Sequence, residues 1–204
     1  VEGYKISETF NFTEVNGRKI PYRDQFDDNS RTQAASKYFR ENPQRLHLGI
    51  IGLELKKSNG DYATLSDIKN SKHSLDMWTG KILSEFEFDG KPVKVEVYCH
   101  QSKDLIAAEI QSPLCAEGRL AVEWNFPYAN AGAVTPGYDF DSPGKHQSVQ
   151  ERVSDNQVRI ARTLDNDHYQ VTIGWEGKAT FKQTAKHRFE LQAKGVQKLA
   201  FSCE

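Results

Sequence analysis

The chain is poor in the residues and spacings that usually announce a chemistry. Among 204 residues there are three cysteines, Cys99, Cys115 and Cys203, and they have no metal-ligand spacing. They read as small apolar residues in or near strands, and any disulfide would leave one thiol over. None of the six histidines (His47, His73, His100, His146, His168 and His187) pairs with another at H-x-x-x-H spacing. A zinc site wants three or four convergent ligands, so no metal is expected. No G-x-G-x-x-G, phosphate loop or G-x-S-x-G occurs, so no nucleotide cofactor or nucleophile elbow is expected. No apolar run approaches the ~20 residues of a membrane-spanning helix. Lys plus Arg number 27 against 28 Asp plus Glu, a formal charge of −1 with no block of one sign. Such a surface lacks the basic patch that neutralises phosphates, which argues against a nucleic-acid partner.

What the chain does have is strand after strand. From Leu75 to Tyr128 the pattern is nearly continuous. Phe86 and Phe88 alternate with Glu85 and Glu87, and Asp89-Gly90 is a turn. Val93, Val95, Val97 and Cys99 share one face, with Lys94, Glu96, Tyr98 and His100 on the other. Ile106, Ala108 and Ile110 form the next inward row, and Leu120, Val122, Trp124 and Phe126 another. Strands are expected again at Val158–Ile160, Tyr169–Trp175, Ala179–Phe181, Arg188–Leu191 and Lys198–Cys203. Residues 4 to 22 read as a hairpin turning at Asn16-Gly17, and Leu46 to Leu55 as a strand broken by Gly49 and Gly52. Asn59-Gly60 reads as a further turn, and Ser66 to Asn70 as one short helical turn.

One helix is expected near residues 30–41. Ser30 with Gln33 gives a capping-box pattern, Ala34, Ala35, Tyr38 and Phe39 an apolar stripe, and Asn42-Pro43 a stop. Roughly a dozen short strands with turns every 8 to 12 residues predict an all-β fold: an antiparallel β-sandwich in one domain, residues 1–204.

Pro127 to His146 breaks this rhythm. It is rich in Gly, Pro, Ala, Asn and Asp, and at ~20 residues it exceeds the usual connection. Long loops in compact domains carry function or mobility. Tyr128, Asn130, Tyr138, Asp139, Asp141 and His146 in this loop, together with Trp78, are the candidate carbohydrate-binding residues. An aromatic face suits the apolar C–H face of a pyranose, and amides and carboxylates suit its hydroxyls. The alternative is a loop that only packs, and for Tyr128 and Tyr138 both readings stay open. Trp124 and Trp175 lie in apolar alternating rows and read as core. Glycoside hydrolysis would need two acids in one cleft. Asp76, Glu85, Glu87, Glu96, Glu109 and Glu123 lie on strands, mostly opposite the apolar rows, so they face solvent and no catalytic residue is expected. Asn11-Phe-Thr13 fits the glycosylation sequon, which matters only in a eukaryotic secreted protein.

Several phrases together carry a resemblance. They are Tyr38-Phe-Arg-Glu-Asn-Pro-Gln-Arg-Leu-His-Leu-Gly49, Leu75-Asp-Met-Trp-Thr-Gly80, Val97-Tyr-Cys-His100, Gln111-Ser-Pro-Leu114 with Gly118-Arg-Leu120, Phe126-Pro-Tyr128, and Ser142-Pro-Gly-Lys-His146. The series resembles the N-terminal β-sandwich region of bacterial six-hairpin glycosidases, over roughly residues 4 to 204. The resemblance implies a super-sandwich of the galactose-mutarotase type. It also implies a parent enzyme whose catalytic carboxylates lie in a C-terminal (α/α)6 barrel. That catalytic domain is then the expected partner, an oligo- or polysaccharide the possible ligand, and the periplasm or the exterior the implied location. Val1 is not a methionine, and the alternating run Leu199 to Cys203 stops like an interrupted strand. The chain is therefore expected to be an excised or processed piece of a longer protein. On this reading it is a non-catalytic domain supporting, and rimming, the active site of a glycoside hydrolase. The rival reading is a free-standing carbohydrate-binding module that uses the loop 127–146.

Overall fold

The computed structural model describes residues 3–22, 30–41, 47–130 and 136–204, apart from the side chains of residues 11, 30 and 41. In chain order the elements are β1 (Asn11–Val15), β2 (Arg18–Tyr22), α1 (Ser30–Glu41), β3 (Ile50–Leu55), β4 (Ile68–Asp76), β5 (Lys81–Phe88), β6 (Lys91–Cys99), β7 (Ile106–Gln111), α2 (Pro113–Ala116), β8 (Leu120–Asn125), β9 (Tyr128–Ala129), β10 (Tyr138–Asp139), β11 (His146–Ser154), β12 (Gln157–Leu164), β13 (Asp167–Glu176), β14 (Ala179–Ala185), β15 (Arg188–Ala193) and β16 (Lys198–Cys203). The fold is all-β and antiparallel, as the alternation predicts, and α1 is the one helix longer than a turn among the described residues.

The chain divides into two compact units, Val1–His47 with Ala129–Asp139, and Leu48–Tyr128 with Phe140–Glu204. In the smaller unit β1 and β2 form the expected hairpin, with Val15 opposite Arg18. Asn16 and Gly17 both take positive φ, 50° and 74°, as a two-residue turn of this twist demands. Ile6–Thr9, expected to be extended, is a single 3₁₀ turn closed by Glu8 onto Lys5. Arg31 of α1 meets Glu8 at 3.0 Å, and Tyr38 packs on Tyr4 with ring centroids 5.4 Å apart. The capping contact of Ser30 and the stop at Asn42-Pro43 lie outside the described residues, as does Leu46.

The larger unit holds two sheets. One has eight strands in the order β11-β12-β13-β16-β7-β6-β5-β4, the other four in the order β14-β15-β8-β3. Their inner faces are the rows that the alternation picks out. Val93, Ala108, Ile110, Ile160, Ile173, Leu199 and Phe201 come from the large sheet, and Leu55, Leu120, Val122, Trp124, Phe181, Phe189 and Leu191 from the small one. Trp124 bridges them, its ring 5.1 Å from Phe201 and 5.8 Å from Phe181, and Trp175 stacks on Phe181 at 5.8 Å. Each such side chain withdrawn from water contributes about 1.5–3 kcal/mol, which makes this shared layer the main stabilising element. Helix α2 closes one end. Its N-cap Ser112 accepts from the Leu114 amide at 3.2 Å and donates to the Pro92 carbonyl at 2.8 Å, while Leu114 and Cys115 are buried.

The structure corrects two readings in this unit. The helical turn is shorter than Ser66 to Asn70. It covers Leu65–Asp67, and β4 already runs from Ile68, with Asn70 at φ 52° in a bulge between Lys69 and Lys72. Residues 146–154, which show no apolar alternation, form the edge strand β11. Most of its side chains are exposed, so no hydrophobic row marks it.

Candidate functional site

The inward row of β12 reads Val158, Ile160, Arg162, Leu164, so an arginine stands where an apolar residue would continue the pattern. Arg162 is 1% exposed. A buried guanidinium must place five N–H donors, and here neutral acceptors take all of them. Nε donates to the Tyr169 hydroxyl at 3.2 Å. Nη1 donates to the Gln147 carbonyl at 3.0 Å and the Ser148 hydroxyl at 2.6 Å, and lies 3.3 Å from His187 Nδ1. Nη2 donates to the Pro127 carbonyl at 3.0 Å and to His146 Nδ1 at 2.8 Å. The faces of Phe126 and Tyr169 lie 5.2 and 5.8 Å from the guanidinium carbon.

These contacts fix the protons of both imidazoles. His146 Nδ1 accepts from Arg162, so it carries no proton. Ser148 Oγ receives an Arg162 hydrogen and lies 2.7 Å from His187 Nδ1, which places the serine proton on that bond. His187 Nε2–H then donates to the Pro143 carbonyl at 2.9 Å. The rings stack with centroids 3.7 Å apart. Burial, with Arg162 and Lys186 nearby, holds the His187 ring below its ordinary pKa, against the opposing pull of the Pro143 carbonyl.

Arg162 therefore gathers both stems of the segment 127–146, through Pro127 at one end and His146 and Gln147 at the other, while His187 holds Pro143. This arrangement positions backbone. All five donors of the guanidinium are taken, so none remains to hold a substrate anion.

The structure distributes the candidate binding residues over the two units. Tyr128, Asp141 and His146 belong to the larger unit, and Asn130, Tyr138 and Asp139 to the smaller. His146 is buried within the arginine cluster. Tyr128 is half-buried. Its hydroxyl donates to Asp165 Oδ2 at 2.7 Å, and Lys145 Nζ sits 5.3 Å from its ring centroid. Asp141 is exposed. In the smaller unit Asn130 and Asp139 are half-buried, and Tyr138 is exposed, its ring edge-on to His47 at 5.5 Å. Trp78 stands apart in the turn between β4 and β5 and is 99% exposed. Asp76 builds that turn by accepting from the Trp78 and Thr79 amides at 3.0 and 3.4 Å. Its carboxyl is held below the usual range, first by the Thr79 side chain and then by the Trp78 amide.

The acids that alternate with apolar rows do face away from the core. Glu123 on β8 is directly opposite Glu190 on β15, on the outer face of the small sheet. Arg188 clamps Glu123 and reaches Glu54 at 3.5 Å, so its positive charge offsets two of the three carboxylates on this face. Lys182 meets Glu190 Oε2 at 3.3 Å, while Glu190 Oε1 is buried with no hydrogen-bond partner. Among the described residues no group of three His, Cys, Asp or Glu could hold a metal ion.

Arg162, His187 and Glu190 escaped the sequence reading. The signal for Arg162 was present, since it is charged in an inward row that is otherwise apolar, whereas Glu190 stands in the outward row of β15 between Arg188 and Gln192, where a charge is ordinary. His187 carried no such mark. No protein-family model matches the chain, and no curated protein matches it either.

Proposed function

We propose that this chain is a non-catalytic β-sandwich domain of a larger carbohydrate-active enzyme, a glycoside hydrolase, whose helical barrel it supports and rims. One observation carries the reading beyond the resemblance. On the inner face of the large sheet, register aligns Leu75, Ile82, Val97, Ala108, Phe201 and Trp175 across six strands. Ala108, Phe201 and Trp175 lie in the core. Toward β4 the same row leaves the cover of the four-stranded sheet, so Ile82 is 44% and Leu75 58% exposed. Met77 and Trp78 in the adjoining turn are more exposed still. An apolar row continued past the edge of a core is the kind of surface that a second domain covers.

The test begins with the gene on both sides of this segment. An adjoining region of helical hairpins with a candidate pair of carboxylates is the expected finding. That region, expressed separately, should form a complex with this chain, and Leu75→Asp with Ile82→Asp should abolish it. A gene that ends without such a region, or a complex indifferent to both substitutions, overturns the proposal.

A further inference from the structure

The outer face of the eight-stranded sheet carries a trough of about 580 Å³. Its origin is a row of small side chains. Register aligns Tyr98 of β6 with Ala107 of β7, Ala107 with Ser202 of β16, Ser202 with Gly174 of β13, and Gly174 with Gln157 of β12. The ends of this row are large and its middle is nearly bare backbone. With strands ~4.8 Å apart, the low stretch from Ala107 to Gly174 is about 10 Å wide. The next row places Ala200 between Glu109 and Glu176, so the floor widens along the strands and meets a carboxylate on each side. Gly174 keeps the floor low, since a Cβ there would sit 3.3 Å from Ser202 Oγ. The far wall is the β11–β12 turn, held down by the Trp175 amide donating to the Asn156 carbonyl at 3.0 Å.

The chemistry of the walls selects a ligand class. Tyr98 offers a half-exposed ring, its hydroxyl fixed by donation to Glu96 Oε2 at 3.1 Å. Glu96 pairs with Lys94 at 3.1 Å and Glu109 with Lys198 at 2.6 Å, so two of the three acids here are offset in place, and no Lys or Arg lines the trough among the described residues to attract an anion. A flat floor of small side chains (Ala107, Ala200, Gly174 and Ser202), an aromatic wall at one end, the amides of Asn156 and Gln157 at the other and a carboxylate on each side match a ring with apolar faces and a hydroxylated rim. We infer that this trough is a binding site for a neutral polyhydroxy ring, a pyranose within an oligosaccharide. The domain would then hold substrate itself as well as support a barrel. The inference shares its ligand class with the function proposed above, yet it concerns a different face and is tested on this chain alone.

The experiment titrates the chain by calorimetry with neutral pentasaccharides of glucose, xylose and mannose in α- and β-linked forms. At least one is expected to bind. Tyr98→Ala should weaken it tenfold or more, and Ala200→Gln, which fills the floor, should do the same. Leu65→Ser, at an exposed position outside the trough, should leave it unchanged. Both trough positions lie on the outer face, and unchanged melting temperatures confirm that the variants fold. Absence of binding across the set overturns the proposal. So does binding that survives both trough variants, is lost with Leu65→Ser, or is displaced by inorganic phosphate. None of these results bears on the Leu75–Ile82 face, and failure of docking there leaves the trough intact.

Discussion

His146 and His187 stack with ring centroids 3.7 Å apart, and both turn Nδ1 toward the buried guanidinium of Arg162. Protonation of His187 would set a second positive charge beside the guanidinium. The arrangement binds three parts of the larger unit into one polar cluster: the stems of segment 127–146, strand β12 and the turn before β15.

Arg162→Met tests the strength of that cluster. The substitution keeps apolar volume but leaves the Pro127 and Gln147 carbonyls and His146 Nδ1 without donors. Buried acceptors so stranded cost ~1–3 kcal/mol each, partly relieved by relaxation. A loss on the order of 3 kcal/mol is expected in urea unfolding. Arg162→Lys should lose about half as much, because an ammonium keeps the charge but supplies three donors rather than five. A loss under ~0.5 kcal/mol for Met, the range of neutral surface changes, would show that the cluster stabilises nothing.

The same geometry sets a pH dependence. The folded pKa of His187 lies below its ordinary value of 6.5, so between the two values the unfolded chain binds the extra proton. The contribution is complete above pH 6.5 and is lost as pH falls through the folded value. The melting temperature should therefore drop from pH 7.5 toward pH 5. His187→Asn should flatten that drop, since Asn tolerates the φ of 64° at this turn. An unchanged slope in the variant would assign the acid loss to other groups.

The sequence showed the sandwich wherever burial on one side forced alternation. Val93 to Val97 and Leu120 to Trp124 are buried or half-buried on the predicted face, and Asp89-Gly90 takes the positive φ values its turn requires. Strand β11 was illegible because it is an edge whose inward side chains meet solvent or Arg162, so no hydrophobic period marks it. The loop residues were visible as a group only by composition. What divides them, burial of His146 under Arg162, depends on register between β11 and β12, which no local pattern encodes. The trough was invisible for the same reason. Tyr98, Ala107, Ser202 and Gly174 lie far apart in sequence and meet only through three strand pairings.

Thiol reactivity should separate the three cysteines, all of which are free. Burial pushes the Cys115 thiol up to about 11 and also raises that of Cys203, whereas Cys99 is exposed. The thiolate is the reacting species, so a disulfide reagent should modify Cys99 first, Cys203 slowly and Cys115 only on unfolding. Cys99→Ser should remove the fast phase. Rapid modification of Cys115 in the native protein would mean that the end of the sandwich closed by α2 opens readily.

The exposed part of the inner row makes a prediction that needs no partner. Leu75 and Ile82 face each other across β4 and β5, at 58% and 44% exposure, next to Trp78 at 99%. Side chains this open add little to folding, so Leu75→Ser or Trp78→Ser should shift stability by less than ~0.5 kcal/mol. Phe201→Ala, further along the same row and 6% exposed, should cost about 3–5 kcal/mol because it leaves a cavity beneath Trp124. The contrast separates a row that ends as core from one that ends as a surface for another domain. If Leu75→Ser costs as much as Phe201→Ala, the strip is packed in solution, and the docking face proposed for it does not exist.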